Sequence, residues 1–195
     1  YNAKNMTKDE YNKMVDEKVQ PAYDRLKKEF LEKDLFQPTV IYGYYPCRAD
    51  DNTLLIFDPK DGIDNNDPLE SIREKATHQF TFPRQQKNPH RALSDYFHSD
   101  RHDVVALSIV SAGSAISEYE KVLYAEGKFH EYYLVHGLGV ELAEALAEIV
   151  HKKIRIELDI LKNELPDLNE VKMKGYHGAR YSFGYTACPD LELNE

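Results

Sequence analysis

The sequence contains no tryptophan and two cysteines, Cys47 and Cys188. Two thiols make neither a disulfide framework nor a four-ligand zinc site, and they point to a reducing, cytosolic compartment. No apolar stretch approaches the ~20 residues that a bilayer-spanning helix requires, so a membrane-spanning role is excluded. Residues 1–20 are polar and lack an apolar h-region, so no secretory leader is expected. There is no basic block either. Lys and Arg number 25 against 34 Asp and Glu, a formal net charge of −9. A nucleic-acid-binding face would have to be locally basic against that balance, so no nucleic-acid partner is expected. Internal repeats, low-complexity linkers and a Walker loop are all missing. His136-Gly-Leu-Gly139 has two glycines, but no third at the required spacing and no strand before it. The Asp-rich stretch Asp58 to Asp67 fails as a calcium loop. With Gly62 as the sixth position, Phe57, Pro59 and Asp61 fall at the first, third and fifth.

What is present is a globular composition: 42% hydrophobic and 11% aromatic residues, with 14 Tyr and 8 Phe. Folding at this length hides roughly 70% of the extended surface, enough for a core without covalent staples. Residues 1–36 balance their charges, so the acidic excess lies in 37–195, partly between Asp50 and Asp67.

Tyr11, Val15, Val19, Ala22, Leu26 and Phe30 step by four or three, an amphipathic helical period. Thr7 and Glu10 make a capping box at its start. Pro21 interrupts the pattern, which predicts two helices or one kinked helix with Pro21 in the first turn of the second. Thr39 to Tyr45 is β-branched and aromatic and reads as a strand stopped by Pro46. Thr53 to Phe57 has the same character, with a turn at Arg48 to Asn52 between them, so the two form a hairpin. Asp67 is expected to cap a short helix from Pro68. Gln79 to Phe82 reads as a strand ending at Pro83, and Arg84 to Ser94 as a polar loop. Asp103 to Ser111 is apolar on both alternations and is expected to be a central strand. Ser114 is expected to cap a helix through about Ala125. After Gly127, Leu134, Leu138, Leu142, Leu146, Val150 and Ile154 mark a long helix reaching near Lys162, before Pro166. Ala143, Ala145 and Ala147 thin the neighbouring face, which permits close approach of another backbone or a ligand. Residues 172–195 carry no period. The expected class is α+β: a single domain with a twisted, mainly antiparallel sheet flanked by long helices.

The long helix carries Glu141, Glu144, Glu148, His151 and Arg155. Glu148-x-x-His151 is half of a di-iron carboxylate motif, and the chain has no second Glu-x-x-His. In His130-Glu131-Tyr-Tyr-Leu134 a leucine stands where a zinc protease needs its second histidine. A hydrolytic pair at Glu141 and Glu144 stays open beside the plainer reading of a solvated helix flank. The segment from Tyr176 to Asp190 differs in kind. It joins Gly178 and Gly184, five rings counting His177, and the single Arg180. Glycine at 184 lets a flat ligand approach the backbone. Arg180 offers a planar donor fork for a carboxylate, and Tyr181, Phe183 and Tyr185 offer π faces. These residue types suit a binding loop or an aromatic packing loop, and by themselves leave both open.

Arg180-Tyr-Ser-Phe-Gly184-Tyr185-x-Ala-Cys-Pro resembles the Arg-x-x-x-Gly-Tyr signature of the activation domain of cobalamin-dependent methionine synthase. Val135 to His151 is similar to that family's long helix, and Tyr42 to Pro46 and Ala92 to Phe97 fall in the family's order upstream. The resemblance runs from about Phe36 to Glu192. It implies a helical N-terminal segment, residues 1–36, and a core, residues 37–195, in a family domain that continues past Asp190 and also begins earlier.

The resemblance further implies a domain that binds S-adenosylmethionine and presents its methyl group to cobalamin during reductive reactivation, within methionine biosynthesis. Carried over by position, Asp95 contacts the ligand's ammonium, Arg180 its carboxylate, and Glu144 approaches from the long helix. Ser182, Gly184 and Tyr185 belong to the pocket, and no residue acts as a catalytic acid or base. Cobalamin sits on a separate module, zinc belongs to other modules of the full enzyme, and a flavodoxin-like reductant is the second partner. The parent enzyme is a cytoplasmic methyltransferase; the fragment alone is not expected to turn over. The alternative is a docking module for a corrinoid protein and its flavoprotein reductant, with no ligand of its own.

Overall fold

A computed structural model describes residues 4–61, 64, 66–160 and 178–192, and its first helix begins where Thr7 directs. Helix α1 (Lys8–Met14) carries the reciprocal capping box: Thr7 Oγ1 accepts from Glu10 N–H at 3.3 Å and Glu10 Oε2 accepts from Thr7 N–H at 2.8 Å. Between α1 and α2 (Gln20–Glu32), residues Val15–Val19 widen into a π-helical turn. Pro21 has no N–H to give and its ring crowds the carbonyl four residues back. A widened turn accommodates both without ending the helical course, so the expected interruption takes the form of a bulge.

By its internal contacts the chain divides into two compact units, Tyr1–Val40 with Val110–Val150, and Ile41–Ile109 with His151–Glu195. In the first, α2 packs with α4 (Ser114–Ala125) and the leading part of α5 (Phe129–Glu157). Leu26, Phe30, Leu35, Ile116, Leu123 and Val135 are its buried core, each contributing about 1.5–3 kcal/mol by leaving water. α4 and α5 approach closely at Gly139, where a methyl group would stand 3.1 Å from Ile116 Cγ2. The close approach expected of the alanines therefore occurs one turn earlier.

Three helices end alike, with a left-handed residue and paired backbone bonds to the last-turn carbonyls. After α2, Asp34 (φ 50°) is left-handed, and Leu35 N–H reaches Phe30 O at 3.0 Å. After α4 it is Gly127 (φ 71°), with Lys128 N–H on Leu123 O at 2.9 Å. After α5 it is Asp159 (φ 58°), with Ile160 N–H on Arg155 O at 2.9 Å. This stop ends α5 at Glu157, short of the expected Lys162, which with Pro166 lies outside the described residues. The residue before α4 is Gly113, not Ser114, and no side chain caps that end. Gly113 (φ 103°) is required because a Cβ there would lie 2.7 Å from the Gln37 carbonyl.

The sheet has the order β3-β2-β1-β4, with antiparallel β1–β2 and β2–β3 pairs, which is the α+β class expected. β1 spans Thr39–Asp50 and passes through Pro46. Pro46 lies just beyond the last register pair, Cys47↔Ile56, and its carbonyl accepts from Phe57 N–H at 3.0 Å. The missing N–H removes a terminal bond rather than an interior one. Arg48 to Asp50 are therefore strand, and the hairpin turns at Asp51 (φ 50°) and Asn52 before β2 (Thr53–Ile56).

β3 covers His78–Thr81. α3 (Leu69–Lys75) starts after Pro68 without a side-chain cap, because the Asp67 carboxylate is taken by Lys75 Nζ at 2.6 Å. β4 (Asp103–Ser111) has the predicted bounds but stands at the sheet edge, with Val104 and Ile109 exposed. An apolar alternation records side chains, not hydrogen-bonding neighbours, so it does not distinguish an edge from a centre. Two buried clusters serve the sheet: Leu55, Phe57 and Ile72 in one, and Cys47, Leu54, Ile56, Phe82, Ala92 and Cys188 in the other.

Candidate functional site

Past β3, Phe82 is buried and its N–H still reaches Asn52 O at 2.9 Å. From Pro83 the chain leaves the sheet and returns at Leu93–Tyr96, a 3-10 turn. Ser94 is fully buried and its hydroxyl donates to Asp51 O at 2.7 Å, pinning this turn to the β1–β2 hairpin. Asp95 rides on the turn. Its Oδ2 accepts from Ala92 N–H at 3.0 Å and from Arg84 Nη1 at 2.8 Å, and its Oδ1 accepts from Arg84 Nη2 at 3.0 Å. The same guanidinium reaches Asp51 Oδ1 and His90 O, each at 3.1 Å. The Arg84 hydrogen bonds, then the Ala92 N–H, hold the Asp95 carboxyl below its ordinary value.

The 178–192 segment folds around Gly184. Gly184 N–H donates to Cys188 O at 2.8 Å and Cys188 N–H to Tyr185 O at 2.9 Å, closing a tight loop. The Cys188 thiol donates to Ser182 O at 2.9 Å. Phe183 lies against Phe80, ring centroids 5.6 Å apart. With Cys188 it ties the loop into the core beneath the sheet, while Tyr181 and Tyr185 face outward.

A cleft of about 370 Å³ lies between these two segments. One wall presents Arg84, Arg91 and Tyr96; the other presents Tyr181, Thr186 and Ala187. The turn that carries Asp95 and the loop that carries Arg180 are thus brought to one cavity. Asp95 is exposed, Arg180 and Ser182 are half-buried, and Tyr185 is exposed. Tyr181, rather than Tyr185, supplies the ring in the wall. The space before the Gly184 Cα is filled by Leu191, whose Cδ2 would stand 2.6 Å from an added Cβ. Glu144 is exposed on α5, in the stretch belonging to the first unit. Tyr176 and His177 lie outside the described residues. Arg84, Arg91 and Tyr96 escaped the sequence reading, which saw residues 84–94 as a polar loop. The signal available was two arginines bracketing a loop that leads to an acid. A second, shallower cleft of about 330 Å³ is lined by Pro46, Asp61, His102, Asp103 and Val104.

The chain matches the family model for the activation domain of vitamin B12-dependent methionine synthase over residues 2–195. The chain belongs to that family. Methionine synthase of Mycobacterium leprae (strain TN) is 35% identical over 166 residues, 78% of this chain and 13% of that protein. Methionine synthase of Mycobacterium tuberculosis (strain ATCC 25618 / H37Rv) is 36% identical over 172 residues, 81% of this chain and 14% of that protein. The chain therefore spans about one seventh of the length of these relatives. A crystal structure of the MetH reactivation domain bound to AdoHcy superposes with a TM-score of 0.71 at 21% identity, covering 92% of this chain and 57% of that one. That likeness establishes the fold of this chain. No described helix of it is long and apolar enough to cross a membrane, and no described group of three or more His, Cys, Asp or Glu could hold a metal ion.

Proposed function

We propose that this activation domain binds S-adenosylmethionine in the cleft between the Asp95 turn and the Arg180–Tyr185 loop, and presents the methyl group to cobalamin on a separate module. The observation that carries the reading is the cleft itself, whose walls present the Tyr96 and Tyr181 rings and the Arg84 and Arg91 guanidinium groups. Asp95, held by Arg84, and Arg180, next to Tyr181, stand beside the lining rather than in it. S-adenosylmethionine carries a carboxylate, an ammonium, a sulfonium and a heterocycle, and this donor set fits each. Arg180 pairs the carboxylate, and the tyrosine rings of the walls take the heterocycle and the cation. A carboxylate has about four lone-pair sites. Arg84 and Ala92 occupy three on Asp95, leaving one on Oδ1 for the ligand's ammonium.

Ser182, Gly184 and Tyr185 complete the proposed ligand environment within the second unit. Cobalamin, when docked, supplies a metal-centred nucleophile. The chain's own residues bind the donor, align its methyl group and exclude water. No proton moves in that transfer, so no general base is needed. The full enzyme is on this reading a cytoplasmic methyltransferase of methionine biosynthesis, with zinc in other modules and a flavodoxin-like reductant as partner.

Calorimetry with S-adenosylmethionine tests the reading. Arg180→Ala is expected to weaken binding by about 1.5–3 kcal/mol, the range for a hydrogen bond to a charged group. Unchanged affinity removes the carboxylate assignment. Absence of binding to the native chain, with capture by a cobalamin module retained, favours the docking-module alternative.

A further inference from the structure

The two arginines in the cleft wall are chemically unequal. Arg84 is committed: its terminal nitrogens hold Asp95 twice, Asp51 once and the His90 carbonyl. An incoming anion at Arg84 would have to displace those partners and would meet the Asp51 and Asp95 carboxylates. Arg91 is different. Among the described residues its guanidinium makes no hydrogen bond or close ion pair. It lies near the Tyr96 ring, 5.9 Å from Cζ to centroid, and acts on Asp95 only through its charge, as the last of the effects that lower that carboxyl. The backbone around it is nonetheless pinned on both sides. Gln85 N–H donates to the Arg91 carbonyl at 2.9 Å, Arg84 Nη1 holds His90 O, and Ala92 N–H is fixed on Asp95. A fixed backbone anchors an exposed planar cation that no anion among the described residues occupies, and its fork geometry matches a carboxylate.

We propose that Arg91 is a specificity-determining residue of this cleft, reading the carboxylate of the adenosyl amino acid in addition to Arg180, while Arg84 serves only to hold Asp95 in place. The inference rests on the reading that the cleft takes S-adenosylmethionine. It predicts discrimination by the ligand's amino-acid end: ligands with the adenosyl thioether but no carboxylate gain nothing from Arg91.

Calorimetry on the full 195-residue chain, with S-adenosylhomocysteine and 5′-methylthioadenosine as probes, tests it. The second probe keeps the adenosyl thioether and lacks the carboxylate and ammonium. Arg91→Gln is expected to weaken S-adenosylhomocysteine about tenfold, as for a lost charged hydrogen bond, and to change 5′-methylthioadenosine less than about twofold. Arg91→Lys keeps the charge without the fork and is expected to recover part of the loss. Equal weakening of both probes, or no weakening of either, overturns the inference. If the Arg180→Ala effect persists in that case, the reading of the cleft stands without Arg91. If the native chain binds neither probe, the reading and the inference fall together.

Discussion

Arg84 holds both carboxylate oxygens of Asp95, at 2.8 and 3.0 Å, eleven positions along the chain. This pair closes the loop whose outer face forms one wall of the cleft, so it links the local fold to the binding surface. Because Asp95 also accepts the Ala92 N–H, its negative charge is locked in orientation before any ligand arrives.

The pair makes stability depend on pH at the acid end. Asp95 has a folded pKa below its unfolded value. Its contribution is therefore complete above the unfolded value, about 3.9, and disappears as pH falls through the folded one. Asp95→Asn is expected to lower stability by about 1 kcal/mol at pH 7, the upper range for a partly exposed pair. The gap between native and variant melting curves should close below about pH 4. A gap that persists unchanged into strong acid would show that the pair contributes no charge-dependent stability.

Gly184 is left-handed (φ 90°), with Leu191 where a Cβ would be. Gly184→Ala is expected to cost about 1–3 kcal/mol, from a backbone conformation that L-residues rarely adopt and from displacement of Leu191. Hydrogen exchange should report the loss first at the Gly184 and Cys188 amides, and S-adenosylmethionine affinity should fall with it. Native-like protection at both amides in the variant would contradict this account.

The two thiols should be chemically silent in the folded protein. Burial pushes Cys47 up to about 12, and burial also raises Cys188. The thiolate is the reactive form. An aromatic disulfide reagent at pH 8 is expected to label both only after denaturation. Rapid labelling of Cys188 under native conditions would show the 182–188 loop opening away from the core.

Features of short sequence range were legible before the structure. Thr7 and Glu10 are three residues apart and find each other within one helical turn, so the capping box is determined by the chain alone. The strand bounds of Asp103 to Ser111 and the Arg180–Tyr185 signature were equally local. Three readings failed because a remote neighbour decided them. Pro46 does not stop β1, since β2's register ends beside it. Asp67 does not cap α3, since Lys75 takes its carboxylate. Asp103 to Ser111 is an edge strand, since it pairs with β1 on one side and no described strand pairs with the other.

The chain by itself determined the period of its helices, the residues able to end them, and the family to which its aromatic loop points, because each depends on contacts a few residues long. Tertiary structure alone decided which arginine is spent on Asp95 and which lies against the Tyr96 ring instead. That outcome requires a loop end, a hairpin turn and a 3-10 turn to meet in space, and no spacing along the sequence encodes their meeting.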